Sequence, residues 1–336
     1  MPGLIDVHAH LDDPGRAEWE GFPSGTKAAA AGGITTLIDM PLNSFPSTVS
    51  TETLKLKIEA AEKRIFVDVG FWGGLVPGNA FNATALEGLL NAGVLGLKSF
   101  MCPSGINDFP MTDANHIKAG LSVLAKYRRP LLVHSEIQQD VESYLQDEDG
   151  DDPRLYSTYL KTRPPSWEEA AIRELLTVTK DTRIGGPAEG AHLHVVHLSD
   201  ASSSLDLIKE AKRRGDSITV ETCPHYLAFS AEEIPDGDTR FKCAPPIRDA
   251  ANKENLWNAL KGAIAIGNHA DIVVWEPEVE FDLNADHPMY VKNPSISAYI
   301  GKRLSGKVLA TFVRGNLVYN EGNHAAAACG ALILAT

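Results

Sequence analysis

The stretch GLIDVHAHLDDPG, residues 3–15, decides how the rest of the chain is read. Leu4, Ile5 and Val7 form a short apolar run of the kind that makes a buried strand, and it leads directly into His8 and His10. Side chains two apart on a strand share a face. Both imidazoles therefore point the same way at the carboxyl end of that strand. Two neutral imidazoles on one face are a natural pair of metal ligands. Taken alone, the pair fits two hydrogen-bonded histidines equally well.

Similar runs follow. Apolar, β-branched segments at Gly3–Val7, Ile34–Met40, Phe66–Phe71, Val94–Phe100, Pro130–Val133, Leu193–Leu198 and Ser217–Thr222 alternate with stretches of helical spacing. Those stretches are Thr51–Arg64, Asp113–Tyr127, Trp167–Thr179 and Ala201–Arg214. Strands buried on both faces and joined by single helices are parallel β/α units. Seven of them are too many for a small open sheet and predict an α/β barrel. Barrel sites form at the carboxyl ends of the strands. PLLVHSE (130–136) reaches that level with His134, and HLHVVHLSD (192–200) reaches it with His197. His194 falls on the opposite face and reads as a packed or hydrogen-bonded histidine. His225 reads as a neighbour of the site at most.

Lys98 lies inside the apolar run VLGLKSFM, residues 94–101. A free lysine, with a pKa of about 10.4, would be cationic beside metal ions. Desolvation and nearby cations favour the neutral amine, which can take up carbon dioxide to give an anionic carbamate. The other reading is a buried stem whose head reaches solvent. Beside four aligned histidines, the neutral amine is preferred.

The bulk numbers bound the rest. A chain of 336 residues, 43% hydrophobic and 22% charged, has an ordinary globular composition with room for one large domain and a smaller one. A net charge of −13 argues against nucleic acid and anionic membranes as partners. Cys102, Cys223, Cys243 and Cys329 show no C-x-x-C spacing, which argues against a disulfide framework or zinc finger and for a reducing compartment. No apolar run of about 18 residues exists to insert in a membrane, and no signal peptide is visible, so the sequence as written implies the cytoplasm. Near Gly262 the pattern changes. Residues 270–281 and 305–322 alternate like antiparallel strands, with a turn near Arg314-Gly315. The expected division is a barrel over 1–262 and part of a small β-sandwich over 263–336. The acidic run at 146–154 reads as a solvated loop, since the spacing of a calcium loop is missing.

His8-x-His10, Lys98, His134 and His197 fall in an order and at strand positions that resemble the amidohydrolase superfamily, in its dihydroorotase, hydantoinase and allantoinase branch. GLIDVHAHLDDPGRAEWEGF, AAAAGGITTLIDMPLNSFPST, GLKSFMCPSGINDFP and FKCAPPIRDAAN are similar to its allantoinases, the plant form in particular, over nearly the whole chain. Dihydroorotases show H-x-H-x-R, whereas Asp12 stands at the arginine position here. The resemblance implies a binuclear divalent centre, zinc first, with manganese or cobalt as alternatives. His8 and His10 would hold one ion, His134 and His197 the other, with carbamylated Lys98 bridging them. It implies hydrolysis of the cyclic amide of allantoin, a small molecule, to allantoate in purine catabolism. Asn43, Cys243 and Arg16 would contact the substrate, and a homo-oligomer is compatible with it. A hydantoinase- or dihydropyrimidinase-like amidohydrolase is an alternative. Plant relatives carry an amino-terminal segment for the endoplasmic reticulum.

One family feature is not found. The eighth strand of the family ends in an aspartate, within S-D-H-x-P, that ligates an ion and moves the proton. After APPIR, the stretch NALKGAIAIGNHADIVVWEP (258–277) runs from a helix straight into the tail, and Asp271 belongs to the start of the β-layer. An eighth β/α unit is thus expected to be missing near Gly262–Ala263, and the amino end is expected to be shorter than in relatives. Seven strands leave two open edges where a cylinder would close. Loss of a general acid–base group costs about 10²–10⁴ in rate, so a catalytically impaired isoform is a further reading.

Overall fold

The computed structural model describes residues 1–139, 152–260, 271–284, 287 and 292–336. The acidic run as far as residue 151 and the Gly262–Ala263 junction lie outside the described residues. In chain order the strands among the described residues are β1 (Leu4–Ala9), β2 (Ile34–Asp39), β3 (Asp68–Phe71), β4 (Gly73–Gly74), β5 (Leu97–Phe100), β6 (Pro130–His134), β7 (His192–Val195), β8 (Ile218–Val220), β9 (Ile272–Asp282), β10 (Arg303–Val313), β11 (Asn316–Asn320), β12 (Asn323–His324) and β13 (Leu332–Ile333). The seven predicted runs are β1, β2, β3, β5, β6, β7 and β8. No helix among the described residues is long and apolar enough to cross a membrane.

The chain divides into two compact bodies. The first comprises Met1–Gly74, Thr84–Gly96 and Ile264–Thr336, and the second Leu75–Ala83 and Leu97–Ala263.

In the first body β1, β2, β3 and β13 form a parallel sheet in that order. Its helices include Phe22–Ala31 and Thr51–Ala61. Ser50 starts the second of these by accepting the Thr53 amide at 3.3 Å, one of the helical N–H groups left without an intrahelical partner. Phe22 and Phe71 are fully buried and meet edge to face at 6.3 Å. The tail contributes an antiparallel sheet in the order β12-β11-β10-β9. Its β10–β11 hairpin turns at Arg314 and Gly315, with φ of 47° and 78°. Two left-handed residues are what a tight hairpin turn of the right twist demands.

β1 departs from the sequence expectation. Leu4, Ile5 and Val7 are 46%, 64% and 37% exposed, not buried. The physical reason is position. β2 flanks β1 on one side, and an isolated antiparallel bridge between Pro2 and Ile272 is the further pairing near its start. A strand covered on both faces needs layers on both sides, and an edge strand lacks that cover.

In the second body β5, β6, β7 and β8 lie side by side, all parallel. β8 is the end strand of this sheet. Helices Ala114–Tyr127, Pro165–Val178 and Ser203–Arg213 return the chain between strands. The proline-rich segment 243–248 is held firmly. Tyr159, Tyr226 and Tyr156 donate their hydroxyls to the carbonyls of Cys243, Pro245 and Ile247 at 2.6, 2.7 and 3.1 Å. Its end is fixed by Arg248, which reaches buried Glu168 at 2.7 Å and Ser199 Oγ at 3.0 Å.

Candidate metal centre

β5 reads Leu-Lys-Ser-Phe, and strand alternation puts Lys98 and Phe100 on one face. Lys98 is 1% exposed, and its Nζ has no hydrogen-bond partner among the described residues. The amine sits 4.8 Å from the centre of the Phe100 ring. Burial pushes its pKa from 10.5 down to about 7, against the opposing pull of Glu221 and Cys102. A ring face attracts a cation by only about 0.5–2 kcal/mol, which is too little to offset loss of solvent.

The register places Phe100 opposite His134. Their rings stack at 4.4 Å with 14° between planes, and His134 meets His197 edge to face at 4.5 Å. Lys98 and His134 thus share the Phe100 ring, and His197 packs on His134. Burial holds His134 below the usual histidine range in spite of Glu136, keeping the imidazole neutral with a lone pair to give. His197 has a φ of 36°, a backbone position uncommon for side chains with a Cβ. Such strain collects at functional sites.

Two neighbours escaped the sequence reading. Glu136 Oε2 lies 2.6 Å from His134 Nε2, and ligand atoms of Cys102, His134 and Glu136 all fall within 4.8 Å of one another. The signal was present in PLLVHSE, where Glu136 follows His134 by two, and in LKSFMC, where Cys102 continues the series of Lys98 and Phe100. His194 bonds Thr219 Oγ1 at 2.7 Å and Glu221 at 3.2 Å, a hydrogen-bonded histidine as read from sequence. His225 lies 3.1 Å from Cys223 Sγ.

In the first body His8 and His10 are half-buried, with ring centres 5.6 Å apart. The Asn43 side-chain amide lies 3.1 Å from His10 Nδ1. Asn43 itself has a φ of 71°, a conformation asparagine tolerates better than most residues. Arg16 donates to the Asn43 carbonyl at 2.8 Å, with its guanidinium 5.1 Å from the Trp19 ring and 5.6 Å from the Phe45 ring. Arg16 is thus turned toward the main chain that carries Asn43. Asp12 is buried, with one carboxyl oxygen unpartnered among the described residues. Burial first, and then Asp39, push its pKa up to about 7. Asp39 is held by buried Lys57 at 2.6 Å. In the second body the Cys243 carbonyl is taken by Tyr159, and burial pushes its thiol up to about 12.

The neutral imidazole of His134 and the buried Lys98 amine, with no hydrogen-bond partner among the described residues, are the chemistry a divalent ion accepts, so these residues fit a metal centre.

Comparison with known proteins bears directly on this arrangement. The Amidohydrolase family profile matches residues 1–226. An allantoinase of Arabidopsis thaliana is 64% identical, over all of this chain and 81% of its own. One from Saccharomyces cerevisiae is 35% identical over 96% of this chain and 83% of its own. Among solved structures, L-hydantoinase from Arthrobacter aurescens superposes with a TM-score of 0.83 at 22% identity, covering 99% of this chain and 88% of that one. The fold is the α/β metal-dependent hydrolase barrel with its added β-layer. The Arabidopsis alignment runs over 410 positions against a chain of 336 residues. That relative therefore carries positions inside the aligned region that have no counterpart here. Family profile, whole-length identity and fold agree, and the chain belongs to the amidohydrolase family.

Proposed function

We propose that the chain opens the ring amide of allantoin to give allantoate. Relatives in this family generally use a binuclear divalent centre. The proposed ligands are His8, His10, Lys98, His134 and His197. Zinc is the ion proposed, with manganese and cobalt as alternatives of suitable ligand preference. When bound, such a pair lowers the pKa of water and polarises a carbonyl.

The protein's own groups do the rest. Neutral Lys98 takes up carbon dioxide, releases a proton and becomes an anion with two oxygens. His134 stays neutral through burial. Asn43, steadied by Arg16, offers its amide toward the substrate, and Cys243 contributes its main chain. Asp12 replaces the arginine that would grip a dihydroorotate carboxylate. The single observation that carries this reading is the Lys98 amine, fully buried and unpartnered among the described residues.

The test is an allantoin assay on the zinc-loaded chain in bicarbonate, beside Lys98→Ala. Equal turnover in the two would overturn the ligand set. Faster opening of hydantoin or dihydropyrimidine rings would overturn the substrate. A version carrying the extra aligned stretch of the Arabidopsis relative is expected to run about 10²–10⁴ faster, the usual worth of an acid–base group.

A further inference from the structure

We propose that the ends of β5 and β6 form a second kind of metal site, in which Cys102, His134 and Glu136 hold one soft divalent ion through sulfur, nitrogen and oxygen. Their ligand atoms lie within 4.8 Å of one another. A zinc ion would draw them closer, to about 2.3 Å for sulfur and about 2.0–2.2 Å for nitrogen and oxygen. All three are buried, at 8%, 4% and 2% exposure.

An independent observation points to a cation. Glu136 Oε1 has no hydrogen-bond partner among the described residues, while Oε2 is engaged with His134 Nε2. A buried carboxylate oxygen without a donor is costly, and a bound ion removes that cost. Charge balance agrees. One thiolate and one carboxylate neutralise one divalent cation, and the thiol proton leaves to solvent on binding. Burial, and then Glu136, push the Cys102 thiol up to about 12 against the opposing pull of Arg163 and Lys98, so its proton leaves only as the ion binds. A thiolate among the ligands selects zinc over magnesium, calcium or manganese.

This site shares His134 with the hydrolytic centre, and it rests on that reading in no other respect. An ion held by Cys102 withdraws His134 from the hydrolytic set, so the two arrangements compete. The hydrolase could thus be held in an idle, thiolate-bound state.

The test loads the full chain with one equivalent of cobalt(II). A sulfur-to-cobalt charge-transfer band is expected in the near ultraviolet. Cys102→Ser should abolish it and weaken zinc binding by more than about tenfold. Cys223→Ser, Cys243→Ser, Cys329→Ser and Lys98→Met should each retain it. A band that survives Cys102→Ser overturns the proposal. X-ray absorption on the unaltered chain with one equivalent of zinc guards against misfolding of the variant. One sulfur at about 2.3 Å supports the site. A shell of nitrogen and oxygen alone overturns it and leaves the hydrolytic reading standing. Failure to retain zinc at all overturns both.

Discussion

The two bodies support their histidines in different ways. His134 sits on a strand with neighbours on both sides, is 4% exposed, and is wedged between the rings of Phe100 and His197. His8 and His10 are half-buried on an edge strand whose Leu4, Ile5 and Val7 face solvent. Packing fixes a rotamer where an element is enclosed, since protein interiors are as dense as organic crystals. The proposed ligands of the second body are therefore set in place before any ion arrives. Those of β1 depend more on the Asn43 amide beside His10 and on whatever covers the edge.

The largest expected effect tests the enclosed half. Lys98→Met keeps the apolar stem and removes the amine. Allantoin turnover should fall by more than about 10²-fold, the upper range seen when only a supporting group of a metal site is lost. Circular dichroism should stay unchanged, and a steady-state assay reads the loss.

Next come the buried ion pairs, one in each body. Arg248→Met strands Glu168, and Lys57→Met strands Asp39. Each should cost about 3–5 kcal/mol, because an unpaired charge is left in the interior. Urea unfolding measures both. A loss under 1 kcal/mol for either would show that water reaches that pair and that the body is looser than its burial implies.

Asp12 gives a pH-dependent difference confined to the first body. Its pKa is raised from 3.8 to about 7 by burial and Asp39. The folded chain therefore binds a proton more tightly than the unfolded chain between those values. Stability is full below about pH 4 and declines as pH rises toward 7. Asp12→Asn removes that decline. The variant should gain on the order of 2 kcal/mol over the parent at pH 8, allowing for partial screening, and nothing at pH 4. Unfolding curves at the two pH values would decide, and a gain at pH 4 equal to that at pH 8 would refute the cause.

The smallest effect falls on the exposed edge. Ile5→Lys should alter stability by less than about 0.5 kcal/mol, since Ile5 is 64% exposed. It should also reduce self-association, because a lysine on an edge strand discourages pairing with another chain. Light scattering during concentration reads this directly.

Much of the frame was legible because it is periodic. Alternation and apolar runs located β1 through β8, apart from the two-residue β4, and the Arg314-Gly315 turn followed from antiparallel patterning on either side. The exposure of β1 was not legible, since an apolar run records which strands seek cover and not whether a neighbour supplies it. Helix Phe22–Ala31 also escaped, because its run of alanines gives little apolar stripe to read. Of the proposed ligands, His8, His10, Lys98, His134 and His197 could be read from the sequence as chemistry placed at strand ends. The tyrosine clamp was not, because Tyr156 and Tyr159 bond main-chain carbonyls 91 and 84 residues away, and a carbonyl has no letter in a sequence.

β13 carries a consequence for how the protein is made. Leu332 and Ile333 pair with Val69 and Gly70, while the Ala331 amide bonds the Asp68 side chain across 263 residues of sequence. A ribosome adds about 5–20 residues per second, so β3 waits on the order of tens of seconds for that partner. Until then the open flank of β3 presents unpaired N–H and C=O groups, which an edge strand offers to any passing strand.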